Sequence, residues 1–138
     1  MHQDVWNRKF CGEGVPDWAA QNNFNFSKSM QFPWPLSKPY DVDENNYPSE
    51  EECVSRKWPQ YHFSLAISSA VGNLYDNKHG LRDKFTTFWG KVANVFSSFD
   101  NILGYELLNE PWCGNIYEDP LLLLEGVADR IKLQPLYD

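Results

Sequence analysis

The chain has 138 residues, 42% hydrophobic and 16% aromatic, with nine Phe, seven Tyr and six Trp; so much ring surface requires a core or a binding cleft and excludes a disordered tail. Twelve Lys and Arg against nineteen Asp and Glu give a formal charge of −7, and the basic residues are dispersed, which argues against nucleic acid as a partner. The longest apolar run, Leu121 to Leu124, stops at Glu125, far short of the roughly 20 residues of a membrane span.

The opening, Met1 to Asn7, holds no apolar run of signal-peptide length. Residues 5 to 60 carry most of the prolines, as in Phe32-Pro33-Trp34-Pro35-Leu36, Lys38-Pro39-Tyr40, Tyr47-Pro48 and Trp58-Pro59, and show no sustained periodicity. Loops beyond about 12–15 residues in compact domains are functional or disordered, and the aromatic content here favours an ordered loop over a site. Asn25-Phe26-Ser27 fits the acceptor pattern for N-glycosylation, which suits a secretory route. Cys11, Cys53 and Cys113 have no metal-ligand spacing, so neither zinc nor another cofactor is expected, and three alternative single disulfides are open. Cys11 and Cys53 both lie in the long loop and would staple it in a secreted protein, with Cys113 the free thiol.

From Tyr61 the pattern changes. Phe63, Ala66, Ile67, Ala70, Val71 and Leu74 share one face of a helix, with Gly72 an interruption inside it. A stronger stripe of Phe85, Phe88, Trp89, Val92, Val95, Phe96 and Phe99 predicts a second helix over about Leu81 to Phe99, core-facing as in a barrel. Ile102 to Leu108 is short and nearly continuous in apolar residues, the signature of a buried parallel strand. Helix, buried strand, then a polar cluster is one unit of a βα barrel, and a whole (β/α)8 barrel takes roughly 250 residues. The 138 residues are therefore read as one piece of a single α/β barrel domain.

The polar cluster is Asn109-Glu110-Pro111-Trp112, at the strand end where barrel enzymes place catalytic groups. A Glu leaving an apolar strand beside Trp112 would be partly desolvated, and desolvation keeps a carboxyl protonated near neutral pH, as a general acid requires. Asn109 would offer its amide to a substrate hydroxyl, and Pro111 would hold Glu110 extended.

Gly104 through Trp112 resembles the acid/base strand of glycoside hydrolase family 5, where an Asn-Glu pair closes the fourth barrel strand. Met1-His2-Gln3-Asp4 resembles the end of the third strand in one branch of that family, the endoglycoceramidases, whose motif Asp-Met-His-Gln-Asp begins one residue earlier. Trp6 through Trp18, Leu74-Tyr75-Asp76-Asn77 and Trp112 through Tyr117 resemble animal members of that branch, and Ala20 to Glu52 is the weakest stretch.

The resemblance implies a partial (β/α)8 barrel from the end of strand 3 through strand 4 and its following loop. It implies a retaining glycosidase that cleaves the β-glycosidic bond between oligosaccharide and ceramide, reaching its glycosphingolipid from the membrane surface in a secreted, extracellular or lysosomal setting. Glu110 would be the acid/base; Asn109, His2 and Asp4 would lie near the sugar, with Trp58 and Trp112 the best aromatic contacts to sugar or lipid. Retention needs a second carboxylate about 5–5.5 Å from the first. The resemblance places that nucleophile on the seventh strand, and Glu13, Glu106 and Glu118 do not match its motif, so the chain is expected to lack it and to be inactive alone. The alternatives are a related β-glucosidase acting on glucosylceramide or steryl glucoside, and a non-catalytic glycolipid-binding fragment.

Overall fold

The computed structural model describes residues 2–20 and 41–137, excepting the side chain of Trp58. The glycosylation sequon at Asn25 and the proline-aromatic stretches between Phe32 and Tyr40 lie outside the described residues. Residues 2–15 fold back on themselves. Asp4 and Glu13 exchange backbone hydrogen bonds of 3.1 and 2.7 Å, and Val15 N–H donates to Trp6 O at 2.9 Å. Gly12 is required at this crossing, because a Cβ there would stand 2.1 Å from Asp4 O. A short 3₁₀ turn, Arg8–Phe10, buries Phe10 at the centre.

The long loop contains more helix than its composition predicts: α1 (Asp17–Ala20), α2 (Glu50–Val54) and α3 (Trp58–His62). None is long enough to show a hydrophobic period, so capping is their signal. Ser49 Oγ accepts from Glu52 N–H, and Gln60 Oε1 accepts from Lys57 N–H at 2.7 Å with Pro59 in the first turn. Cys11 and Cys53, 42 residues apart, form a disulfide that ties this region to the N-terminal fold, and Cys113 is free. The guanidinium of Arg8 adds a second tie. It holds both Asp17 oxygens and donates to Tyr47 Oη at 2.8 Å, stacking over the Tyr47 ring at 4.2 Å.

The helix α4 (Leu65–Tyr75) begins at Ser64, whose Oγ accepts from Ile67 N–H at 3.2 Å, and Ala66 through Tyr75 are buried. Gly72 has a packing reason. A Cβ there would lie 3.1 Å from Asn115 Cβ, so the chain after Trp112 crosses α4 where the helix is bare. The next helix, α5 (Leu81–Phe96), starts where its stripe predicts and ends three residues sooner. Arg82 ties it to the end of α4 by donating to Tyr75 O at 3.2 Å. The core joins Val5, Trp6, Phe10, Ile67, Val71 and Leu74, with Leu108 and, from the short final helix α6 (Gln134–Tyr137), Leu136.

Two expectations are corrected. The expected strand at 102–108 does not form: residues 102–106 are exposed, Leu107 is half-buried and Leu108 buried, and among the described residues the only β pairings are the isolated bridges Asp4 with Glu13 and Val42 with Pro48. A parallel strand needs a ladder beside it, and none of the described segments supplies one. The stripe of α5 likewise faces no core along most of its length. Leu81 is buried and Phe85 packs against the cluster, but Phe88 is 50% and Val95 65% exposed. The described fold is thus helices and loops around α4, without a sheet.

Candidate functional site

Leu108 is the first deeply buried residue after α5, and it delivers Asn109 and Glu110 to the N-terminal fold. The contact is made by Gln3, only 3% exposed. Its Nε2 donates to Asn109 O at 2.8 Å and to Glu110 O at 3.2 Å, and its Oε1 accepts from Trp6 N–H at 3.0 Å. Asn109 Nδ2 returns a bond to Gln3 O at 3.3 Å. Segments 106 residues apart are thereby clamped together.

Glu110 does not stand as Pro111 predicts. Its φ is 39°, on the left-handed side, where the residue before a proline is rarely found. Gln3 accounts for this, because holding both the Asn109 and Glu110 carbonyls requires the chain to turn there. Strain of this kind persists only where surrounding contacts over-determine the backbone.

The Glu110 side chain borders a recess of about 160 Å³ with Pro59, His62, Phe63 and Trp112. Trp112 is fixed rather than free: its indole N–H donates to Ser68 Oγ at 3.3 Å, its carbonyl accepts from Tyr75 Oη at 2.6 Å, and its ring meets Phe63 edge-on at 5.1 Å. Glu110 nevertheless remains exposed, so the desolvation expected beside Trp112 is not provided by the described residues. His62 was not singled out by any motif. It is buried, lies 5.5 Å from Trp112 between ring centroids, and is subject to three influences: burial pushes its imidazolium down, and the Asp4 and Glu110 carboxylates push it up.

Of the other predicted residues, His2 and Asp4 face each other across 3.2 Å at the exposed edge of the N-terminal fold. Glu13 joins them, and one ligand atom from each of the three lies within 4.8 Å of the others. The backbone pairing of Asp4 with Glu13 is enough to gather these acids, and exposed acids alone assign no metal. Trp58 opens α3, and nothing more of its side chain is described. Thus Asn109, Glu110, Trp112 and Asp4 are brought around one region, with His2 beside Asp4. Gln3 and His62 are the additions. Gln3 lies within the Met1-His2-Gln3-Asp4 motif, but the motif assigned it no role, and a His within an aromatic stretch, Trp58 to Phe63, was a visible signal.

Sequence comparisons find relatives along the whole chain. An endoglycoceramidase of Hydra vulgaris is 48% identical over 139 aligned positions and one of Cyanea nozakii 43%, each alignment covering all of this chain. The chain is a relative of the endoglycoceramidases. It spans 26% of the Hydra protein and 27% of the Cyanea protein. Endoglycoceramidase I of Rhodococcus hoagii is 26% identical over 114 positions, covering 83% of this chain and 18% of that enzyme. No family model matches the chain. Among the described residues no helix is long and apolar enough to cross a membrane.

Proposed function

We propose that these residues form the acid/base portion of a retaining glycosidase that cleaves oligosaccharide from ceramide in glycosphingolipids. The observation that carries the proposal is the Gln3 clamp. It joins Met1 to Asp4 and Asn109 to Trp112, the two stretches that resemble barrel strand ends, although 106 residues separate Gln3 from Asn109. Chemistry at the end of one strand depends on groups from another, as in barrel active sites.

In this reading the Glu110 carboxyl protonates the glycosidic oxygen while a nucleophilic carboxylate attacks the anomeric carbon, and the leaving ceramide departs as the alcohol. The Glu110 carboxylate then takes a proton from the water that hydrolyses the glycosyl-enzyme. The nucleophile is assigned to a part of the enzyme beyond these 138 residues, so the chain alone is inactive. Asn109 spends one amide hydrogen on Gln3 and keeps the second for a substrate hydroxyl. His2 and Asp4 line the sugar side. The piece belongs to a partial (β/α)8 barrel of glycoside hydrolase family 5 in which residues 102–108 become the fourth strand once neighbours pair with them. The Cys11–Cys53 disulfide supports a secretory route to membrane-surface substrate.

The test uses a full-length enzyme carrying this sequence. Glu110→Gln keeps the shape and removes the proton, so natural glycolipid should lose about 10²–10⁴ in rate, the usual worth of general acid catalysis. A substrate with a good phenolic leaving group should still glycosylate the enzyme, and azide, which needs no base, should restore turnover as the β-glycosyl azide. Recovery of the α-azide, or full activity on natural glycolipid, would overturn the assignment.

A further inference from the structure

His62 ends α3, directly before Phe63 and the Ser64 cap of α4, so the backbone fixes it from both sides. It is 7% exposed, packs on Trp112 and shares with Glu110 the recess of about 160 Å³. We infer that His62 is a positioning residue for Glu110, the two side chains forming a coupled acid and base across this recess. The inference rests on the acid/base role proposed for Glu110.

The charged groups that act on the imidazole are Asp4, from the N-terminal segment, and Glu110, from the segment after Leu108; burial opposes its protonation and is the largest influence. Interaction between two titrating groups is reciprocal: a carboxylate that favours the imidazolium is itself favoured by it. Burial thus opposes a charge on the His62 ring, and the Glu110 carboxylate on the same recess favours one. When Glu110 has passed its proton to the leaving oxygen, the carboxylate left beside His62 raises the ring's affinity for a proton taken up from solvent. The pair thus answers each change of charge on the acid/base without His62 touching substrate. Neither Phe nor Gln at position 62 can do this.

The direct test is the pH titration of the His62 ring by NMR in a full-length enzyme, with ¹³C-labelled histidine and the signal assigned through its contact with Trp112. In Glu110→Gln the titration should move down by about one pH unit, the coupling at which two groups cease to titrate independently. An unmoved titration overturns the inference, and this measurement leaves His62 itself unaltered. A second measurement compares kcat/KM against pH for His62→Gln. On natural glycolipid the alkaline limb should move to lower pH, because the proton held by the ion pair is lost. With a phenolic leaving group, which needs little protonation, it should stay. Equal movement for both substrates, or none, counts against the coupling. Failure of the acid/base reading looks different: Glu110→Gln would then retain full activity on natural glycolipid whatever the His62 ring does.

Discussion

Replacing Gln3 by Ala removes three bonds at once: the two from Nε2 to the carbonyls of Asn109 and Glu110, and the one that Oε1 accepts from Trp6 N–H. The last is buried, so Trp6 N–H is left without water or protein partner, at about 1–3 kcal/mol. The two carbonyls are partly buried and lose ordinary bonds worth about 0.5–1.5 kcal/mol each, less for a shared donor. The sum is about 3 kcal/mol, measured as the shift in guanidinium unfolding of a full-length enzyme. Activity should fall further than stability alone dictates, since the backbone of Glu110 is then free to leave φ 39°. Gln3→Glu sharpens the test. One oxygen can still accept from Trp6 N–H, but the other meets two carbonyl oxygens with no hydrogen. The variant should be worse than Ala at pH 8 and should recover in acid, where the carboxyl regains a donor. Loss of less than about 0.5 kcal/mol in Gln3→Ala, the scatter of ordinary surface changes, would refute the clamp, as would a Gln3→Glu stability independent of pH.

Mutating Cys11 and Cys53 together to Ser opens a loop of 42 residues and should cost on the order of 4 kcal/mol in the chain-entropy model; peptide mapping without reduction should find Cys113 as the thiol, and a bond from it to Cys11 or Cys53 would refute the pairing. The isolated 138-residue chain should bind apolar dyes and associate through Phe88, Val95 and Phe99, which cooperative melting of a monomer would contradict. Because burial lowers the folded-state affinity of His62 for a proton, the unfolded chain binds more protons there. Its contribution to stability is complete above the ordinary imidazole value of about 6.5 and is lost as pH falls below it. His62→Phe should therefore flatten the acid limb of the stability profile below about pH 6.5, and an unchanged limb would sink that reading.

Where one helix face alone decides the structure, the sequence was readable. Ile67, Ala70, Val71 and Leu74 are buried as their period predicts, although Phe63, expected on the same face, precedes α4 and is exposed, and α5 begins at Leu81. Gly72 looked like a flaw only because Asn115, which lies against it, is 43 positions away along the chain. Glu110 stood out through its neighbours, and its place beside Trp112 on one recess agrees. Its left-handed backbone did not stand out, since Pro111 argues for the opposite and the cause is Gln3. Helices of four or five residues such as α1 to α3 bury too few positions to show a period. Their caps, Ser49 and the Lys57–Gln60 pair, are polar signals that a hydrophobic reading passes over.

The expected strand at 102–108 raises a different issue, because its composition and its described environment disagree. Leu103 is fully exposed and Tyr105 is 40% exposed, while the residues that follow, Leu108 to Trp112, are anchored by the core, Gln3 and Ser68. Helix, turn and clamp contacts come from within the described residues and survive without a sheet; a parallel strand depends on ladders from both sides. The apolar face of α5 is left open in the same way, and Trp89 still reaches Tyr105 at 6.0 Å between ring centroids. That ring contact brings the segment against α5 at one point, and the relatives are nearly four times as long as the part they share with this chain. The backbone of Glu110 is held by its own neighbours, Gln3 and the anchored Leu108 and Trp112, and its exposure is therefore a matter of what covers the recess and not of how the chain delivers the carboxyl.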